Sequence, residues 1–179
     1  ALAPAEILEK TELAEGIVEY RVHASLIARA ALAGQFVRVL LSQDGEFIPL
    51  TLADWDVRQG NIDLVIQGVG TSTKLMNQLD PQQSFAGIAG PLGRPSVIER
   101  YDDDRRVLFI AGRVGLPPVL PILKEHLELG NQTVLISGFR NLNQAFWHEP
   151  GKRLDRLQSD FPKLEVIYTS DDGSFGLHG

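Results

Sequence analysis

The segment Val107–Pro121, VLFIAGRVGLPPVLP, decides the fold of the C-terminal half of this chain. It runs from an apolar stretch through two glycines into a helix start that is bounded by prolines. A strand, a glycine turn and a helix N-terminus in this order predict a site where backbone N–H groups meet a phosphate, because glycine has no Cβ to hold a ligand away. Arg113 lies inside this turn, where a dinucleotide loop favours a small residue.

The residues around this segment alternate strand and helix patterns. Strands are predicted at Val107–Ala111, Thr133–Ser137 and Leu164–Thr169, with helices at Pro118–Leu129 and Leu154–Ser159. Strands that alternate with helices predict βαβ units and a parallel sheet. We therefore expect an α/β, Rossmann-like domain over residues 105–179.

The first hundred residues carry a different pattern, in which short β-strands are separated by turn residues. Strands are predicted at Ile17–Ser25, Gln35–Ser42, Phe47–Leu52, Ile62–Val69 and Phe85–Ala89. A short helix is predicted at Thr71–Leu79, with Thr71 or Ser72 as its N-cap. We expect an antiparallel barrel or sandwich over residues 1–101, followed by a charged, solvated linker at Asp102–Arg106.

Composition excludes several classes of function. The net charge of −6 argues against a nucleic-acid surface. The absence of cysteine excludes disulfides, thiolate metal sites and an iron–sulfur cluster held within these 179 residues, and it is compatible with a cytoplasmic location. No apolar run reaches the length of a membrane span. The chain begins at Ala1 and stops in a glycine-rich loop at Gly179, so both ends are expected to be cut.

Hydrolytic and metal chemistry have no support in the sequence. No serine lies in a nucleophile-elbow context, and no metal site is predicted. The four histidines lack the spacing of metal ligands and are interpreted as structural or solvated: His23, His126, His148 and His178. His126 is expected to face outward from its helix.

Three constellations could bind a cofactor, and each has an ordinary structural explanation as well. Ile48–Asp54 places one hydroxyl among apolar residues at a predicted strand end, which could simply be a strand ending at a proline-bent edge. Gly70–Thr73 either caps a helix or binds a phosphate at its N-terminus. The loop Gly112–Pro118 contains only Gly112 and Gly115 of the G-x-G-x-x-G pattern.

Six segments occur in an informative order: G-Q-F-V at Gly34–Val37, I-P-L-T-L-A-D at Ile48–Asp54, G-x-S-T at Gly70–Thr73, G-P-L-G at Gly90–Gly93, the loop Gly112–Pro118, and T-S-D-D-G-S-F-G at Thr169–Gly176. In this order they resemble the ferredoxin reductase-like flavoprotein family over essentially all 179 residues. Within it, the chain looks most like the electron-transfer subunits of NADH-dependent ferredoxin:NADP oxidoreductase and sulfide dehydrogenase. The electron-transfer subunit of dihydroorotate dehydrogenase is a near relative of these.

The resemblance implies that residues 1–101 form an FAD-binding β-barrel. Its flavin ring would be lined by Ile48, Pro49, Leu50 and Thr51. The Thr51 hydroxyl would lie near flavin N5 and act as the catalytic group. Main chain would reach the flavin from Val65, Ile66 and Gln67. The FAD pyrophosphate would be held by Ser72 and Thr73.

The resemblance also implies an NAD(P)H site in residues 105–179. Its residues would be Gly112, Gly115 and Pro118 in the loop, Arg140 after one strand, and Asp171 and Asp172 after another. The flavin would take a hydride from NAD(P)H and pass single electrons to an iron–sulfur or flavoprotein partner subunit, or to ferredoxin, within a hetero-oligomer. The cluster cysteines of the family lie beyond the point where this chain stops.

The chain departs from the family pattern at three positions. Ile48 stands where many relatives carry an arginine that meets the FAD pyrophosphate. Relatives read G-G-x-G-x-A-P where this chain reads G-R-V-G-L-P-P, so Arg113 replaces a glycine and Pro117 an alanine. An arginine there could pair with a phosphate or block its approach. Two alternatives therefore stay open: a dihydroorotate dehydrogenase electron-transfer subunit, and a non-catalytic module with a degenerate nucleotide loop.

Overall fold

Antiparallel strands build the first of two units in the computed structural model, which describes residues 3–179 and so leaves Ala1 and Leu2 outside the described residues. The units are Ala1–Ser96 and Val97–Gly179. The first has the strands β1 Ala5–Ala14, β2 Ile17–His23, β3 Phe36–Leu40, β4 Phe47–Asp56, β5 Asn61–Gln67, β6 Ser84–Phe85 and β7 Gly87–Leu92, and the helices α1 Ser25–Ala30 and α2 Thr71–Met76. The sheet order is β6-β1-β2-β5-β4-β3-β7.

One chain segment nearly closes this sheet into a barrel. β6 and β7 lie at the two edges of the sheet, yet only Ala86 separates them in the chain. β6 pairs with β1, and β7 pairs with β3. Because both free edges are joined through Ser84–Leu92, few strand edges are left exposed. The predicted antiparallel barrel is confirmed, and the predicted strand Phe85–Ala89 proves to be this two-strand segment.

The barrel interior is apolar, with one deeply buried phenol. The core includes Tyr20, Val37, Leu52, Leu64, Ile66 and Phe85, each at most 1% exposed. The Tyr20 hydroxyl lies 2.9 Å from the Met76 carbonyl oxygen and 3.1 Å from that of Leu79. Burial raises the pKa of Tyr20 to about 12, so the phenol stays a donor and ties the end of α2 to the barrel.

The second unit contains a parallel sheet. Its elements are the strands β8 Arg106–Gly112, β9 Gln132–Phe139, β10 Leu164–Ser170 and β11 Leu177–His178, and the helices α3 Leu116–Glu128 and α4 Arg153–Asp160. The order is β11-β10-β9-β8, and all three pairings are parallel. The predicted α/β half is therefore confirmed. Among residues 3–179, no helix is long and apolar enough to cross a bilayer.

Several local predictions were wrong or missing. β1 was not predicted, because two register shifts break its alternation of buried and exposed residues. α1 was not predicted either, since six residues without a side-chain cap give little signal. The N-cap of α2 is Gly70 rather than Thr71 or Ser72.

His126 was predicted to face outward but is only 6% exposed. Its Nδ1 lies 2.9 Å from Nδ2 of Asn131. The Asn131 oxygen accepts from the backbone N–H of Tyr101, which fixes Nδ2 as the donor toward the imidazole. Aromatic rings of Tyr101 and Phe109 cover the imidazole at centroid distances of 6.1 and 5.8 Å. The folded chain therefore holds His126 neutral as a structural residue.

This arrangement predicts a loss of stability in acid. Burial lowers the pKa of His126 in the folded state, so the unfolded chain takes up this proton first as the pH falls below about 6.5. The free energy of unfolding should therefore fall between pH 7 and pH 5, and His126→Gln should flatten that slope. Urea unfolding at several pH values measures how the free energy of unfolding changes with pH, and His23→Gln, at an exposed histidine, is the control. An equal slope in wild type and His126→Gln would contradict the assignment.

Candidate functional site

The barrel sheet opens between β4 and β5, at the segments predicted to bind flavin. The two strands pair from Asp56–Asn61 to Leu52–Leu64. Beyond this point the remaining part of β4 pairs with β3, and the remaining part of β5 pairs with β2. We call the resulting gap, which Ile48–Thr51 and Val65–Gln67 flank, the β4–β5 opening. Backbone groups that face it need partners other than a neighbouring strand.

The four predicted flavin residues of β4 divide between two faces. Ile48 and Leu50 are half-buried and pack against the barrel core. Pro49 and Thr51 alternate with them and face the other way, and Thr51 lies opposite Phe36 of β3. The prediction that Thr51 lies at a strand end was wrong, because β4 continues to Asp56 through a register shift after Leu52.

The two hydroxyls predicted to hold a pyrophosphate have different roles in the structure. Thr73 Oγ1 accepts from the N–H groups of Val69 and Gly70 at 3.1 and 3.0 Å and lies 3.2 Å from the Gly70 carbonyl oxygen. That hydroxyl is therefore fully used in capping α2. Ser72 Oγ donates to the carboxylate of Glu46 at 2.9 Å. Only the Ser72 hydroxyl can be released to a ligand without uncapping the helix.

Glu46 is a site residue that the sequence reasoning missed. It lies immediately before β4, and its bond to Ser72 joins the two flanks of the β4–β5 opening. The residues are 26 positions apart, so no local spacing indicates the contact. The carboxylate lies where a pyrophosphate held by Ser72 would have to come. Glu46 therefore places a carboxylate at this end of the opening, where Ile48 brings no positive charge.

Two other quoted segments are structural. Gln35 donates from Nε2 to the Gly93 carbonyl at 3.0 Å, which brings G-Q-F-V and G-P-L-G together. A Cβ at Gly93, where φ is +84°, would come within 3.1 Å of the Phe36 ring. These glycine-containing segments therefore hold β3 against β7 at the barrel closure.

In the second unit, the predicted nucleotide residues lie at one edge of the sheet. Gly112 is in register with Gly138 of β9, and Phe139 is in register with Ser170 of β10. Arg140 and Asp171 directly follow these last two residues and are both exposed. Because parallel strands end at the same edge, the segments after β8, β9 and β10 come together there, which is where α/β sheets bind ligands.

The loop after β8 has an unexpected distribution of backbone strain. Arg113 has φ +48°, in the left-handed region that favours glycine, and it begins a 3-10 turn at Arg113–Gly115. Gly112 and Gly115 have φ of −107° and −75°, which any residue adopts. A Cβ built on either glycine would have nothing within 4 Å. The chain therefore carries arginine where the backbone favours glycine, and carries glycine where the fold itself does not require it.

The start of α3 offers few amide donors. The Leu116 N–H already donates to the Arg113 carbonyl. Pro117 and Pro118 follow at the next two positions and have no N–H. The first turn of a helix normally leaves several such donors free for a ligand. Here the mechanism by which a helix N-terminus binds a phosphate is largely removed.

The loop after β10 is held by its own polar groups. Asp172 Oδ1 accepts from the backbone N–H of Ser174 at 3.0 Å and from its hydroxyl at 2.6 Å. These bonds lower the pKa of Asp172, which keeps it ionised. Ser174 Oγ in turn accepts from the N–H of Leu142, after β9. Across residues 3–179, no group of three or more His, Asp or Glu side chains is placed to hold a metal ion.

Three known proteins are similar to nearly the whole chain, although no family model matches. The chain is 32% identical over 174 residues to a Thermotoga maritima homolog of the dihydroorotate dehydrogenase B (NAD(+)) electron transfer subunit, covering 97% of this chain and 57% of that protein. It is 25% identical to the corresponding Streptococcus pneumoniae R6 subunit, covering 97% and 64%. The structure of an NADH-dependent reduced ferredoxin-NADP oxidoreductase matches with a TM-score of 0.85 and 31% identity, covering 100% and 60%.

These matches confirm the resemblance predicted from the order of the six segments. The chain spans about three fifths of the length of these relatives.

The positive φ of Arg113, in the loop Gly112–Gly115 after β8, predicts an unusual pattern of stability among variants of this loop. Arg113→Gly should raise the free energy of unfolding by about 0.5–1 kcal/mol, because a left-handed residue with a Cβ is strained. Gly112→Ala and Gly115→Ala should not lower it, since both positions have ordinary φ and open space. Denaturant unfolding of the three variants tests this. A stability loss in Arg113→Gly would show that the side chain, not the backbone, dominates at this position.

Proposed function

Starting from the ferredoxin reductase-like fold of this chain, we propose that it is the FAD-binding and nicotinamide-nucleotide-binding part of an electron-transfer subunit. The observation that carries the proposal is the β4–β5 opening. Its two flanks, Ile48–Thr51 and Val65–Gln67, are the segments that the family resemblance assigns to flavin. They belong to consecutive strands and flank the place where the β4–β5 pairing stops.

The residues around the opening fit an isoalloxazine ring. The main chain of Val65–Gln67 would meet the polar edge of the ring, with the Ile66 and Gln67 carbonyls already accepting from Asn77 Nδ2 and the Val69 N–H. Pro49, which shares a face of β4 with Thr51, would supply apolar contact, while Ile48 and Leu50 pack against the barrel core. When bound, FAD would accept a hydride and release electrons one at a time, while the protein orients it and tunes its electronics. The chain's own contribution is therefore positioning, with the Thr51 hydroxyl donating a hydrogen bond toward N5.

The second unit would bind NAD(P)H at the carboxyl edge of its parallel sheet. Gly112 and Gly115 leave room above the main chain, and Arg140, Asp171 and Asp172 line the same edge. Open glycines with ordinary φ favour this proposal, because the fold alone gives no reason for them. The substrate would be a reduced nicotinamide nucleotide that gives its hydride to the flavin.

Electrons would leave to an iron–sulfur partner, such as ferredoxin or a partner subunit in a hetero-oligomer. Relatives named as electron transfer subunits support this assignment. The similarity to a ferredoxin-NADP oxidoreductase favours a ferredoxin-linked reaction, and dihydroorotate dehydrogenase is the second candidate because the Thermotoga and Streptococcus relatives carry its name.

The test is to purify the chain, measure flavin absorbance before and after addition of FAD, and then add NADH or NADPH without oxygen. We expect one FAD per chain and bleaching of the flavin by at least one nucleotide. A folded chain that takes up no FAD would overturn the proposal. A flavoprotein that dithionite reduces, but neither nucleotide does, would instead support a non-catalytic module.

The acidic end of the β4–β5 opening predicts opposite effects of two substitutions. Glu46→Gln should tighten FAD binding roughly 3- to 10-fold, because it removes a carboxylate beside the pyrophosphate position. Ser72→Ala should weaken binding by a similar factor through a lost hydrogen bond. Fluorescence titration of the apoprotein with FAD measures both, with exposed Glu12→Gln as the charge control. Weaker binding by Glu46→Gln would place the pyrophosphate elsewhere.

The role of Thr51 gives a second prediction. Thr51→Ala should slow flavin reduction by NADH about tenfold and Thr51→Ser should restore most of the rate, because only a hydroxyl can donate toward N5. Stopped-flow absorbance at saturating NADH provides the rate. FAD affinity should change little in either variant. Equal rates in Thr51→Ala and wild type would remove Thr51 from the catalytic role.

A further inference from the structure

The start of α3 lacks most of the backbone donors that a phosphate meets at a helix N-terminus. The Leu116 N–H is used by the Arg113 carbonyl, and the next two residues, Pro117 and Pro118, are prolines. A helix start of this kind cannot hold an anion through its first-turn amides. Any phosphate that binds here needs donors from elsewhere in the loop.

The same loop nevertheless has room for a ligand. Gly112 and Gly115 lie on either side of Arg113–Val114, and a Cβ on either glycine would meet nothing within 4 Å. Neither glycine is required by its φ. The space above the main chain is therefore not filled by other parts of the described chain.

Arg113 lies between the two open glycines in the chain and carries the positive charge of this loop. Its side chain is half-buried, and among residues 3–179 the structure gives the guanidinium no hydrogen-bonding or ion-pair partner. A guanidinium carries five N–H donors in a planar fork that matches phosphate oxygens. The left-handed backbone at φ +48° is a cost that the fold could have avoided with glycine.

We propose that the Arg113 guanidinium binds the diphosphate of the nicotinamide nucleotide, replacing the amide donors that the prolines remove from α3. This inference rests on the proposed function and assigns a residue to its nucleotide site. Arg113 and Pro117 each depart from the family pattern. Under this proposal the guanidinium of Arg113 supplies donors in place of the N–H that Pro117 lacks. The opposing interpretation, in which Arg113 blocks the loop, predicts effects of the opposite sign.

The decisive variant is Arg113→Gly, because it restores the glycine found in relatives and relieves the backbone strain. If Arg113 is the anchor, this variant should bind NADH roughly 10- to 100-fold more weakly, the range expected for lost charge-assisted hydrogen bonds. The affinity of Arg113→Lys should lie between those of wild type and Arg113→Gly, since lysine keeps the charge but lacks the planar fork of donors. Exposed Arg156→Ala on α4 is the matched charge control and should bind as wild type.

The binding measurements use calorimetry with the flavin-loaded chain and three probes: NAD(+), ADP-ribose and adenosine. Arg113→Gly should weaken the binding of NAD(+) and ADP-ribose, which contain the diphosphate, and leave the affinity for adenosine unchanged. The affinity for ADP-ribose should also become less dependent on salt. The flavin content of each variant is checked by absorbance, so that unfolding of a variant is not mistaken for a loss of nucleotide affinity.

The possible results distinguish a failure of the proposed nucleotide binding from a failure of the role assigned to Arg113. Wild type that binds none of the probes and is not reduced by NADH or NADPH overturns the proposed nucleotide function and this inference with it. Wild type that binds, together with Arg113→Gly that binds equally well or more tightly, overturns only the inference and shows that Arg113 obstructs the loop. Equal weakening of adenosine and ADP-ribose also overturns it, because the contact would then not be with phosphate.

Discussion

Backbone hydrogen bonding at the Leu52–Leu64 pair is the constraint on which the candidate site depends. Up to that pair β4 and β5 are hydrogen-bonded to each other. Beyond it β4 pairs with β3, and β5 keeps only the pairing with β2 that runs along its whole length. Polar main-chain groups that face the gap cannot be left without partners at low cost. Part of this need is met within the chain, since the carbonyls of Ile66 and Gln67 accept from Asn77 Nδ2 and from the Val69 N–H. The near-closure of the barrel through Ser84–Leu92 keeps the rest of the sheet paired and confines the opening to one location.

Backbone hydrogen bonding also limits what the start of α3 can bind. There the donors are missing rather than unpaired, since two prolines occupy the first turn and one remaining N–H is used within the 3-10 turn. A helix start without donors is stable by itself, because nothing is left unsatisfied. It is, however, a poor anion site. Under our proposal, a phosphate would bind here through a side chain, and Arg113 is the cation within this loop.

Charge distinguishes the two candidate sites. At the β4–β5 opening, Glu46 accepts from Ser72 and Ile48 supplies no cation, so a pyrophosphate held by Ser72 would have to displace a carboxylate. At the edge of the parallel sheet, the ionised Asp172 is held by its own loop, and the arginines Arg113 and Arg140 remain for an anionic ligand. In the proposed function the first site would therefore bind its ligand through shape and main-chain groups, and the second through side-chain charge.

The sequence by itself determined the two halves of the chain, their strand and helix types, and the order of segments that led to the family. These depend on local patterns: apolar periodicity, glycine turns and prolines at helix starts. It did not reveal β1, where register shifts break the alternation, or the burial of His126, which follows from contacts with Asn131 and Tyr101. Only the tertiary structure showed that Glu46 meets Ser72, that β4 and β5 separate after Leu52, and that Arg113 rather than a glycine has a positive φ. The physical reason is that periodicity records which face of an element is apolar, whereas partners distant in sequence and individual backbone angles are set by packing of the whole chain.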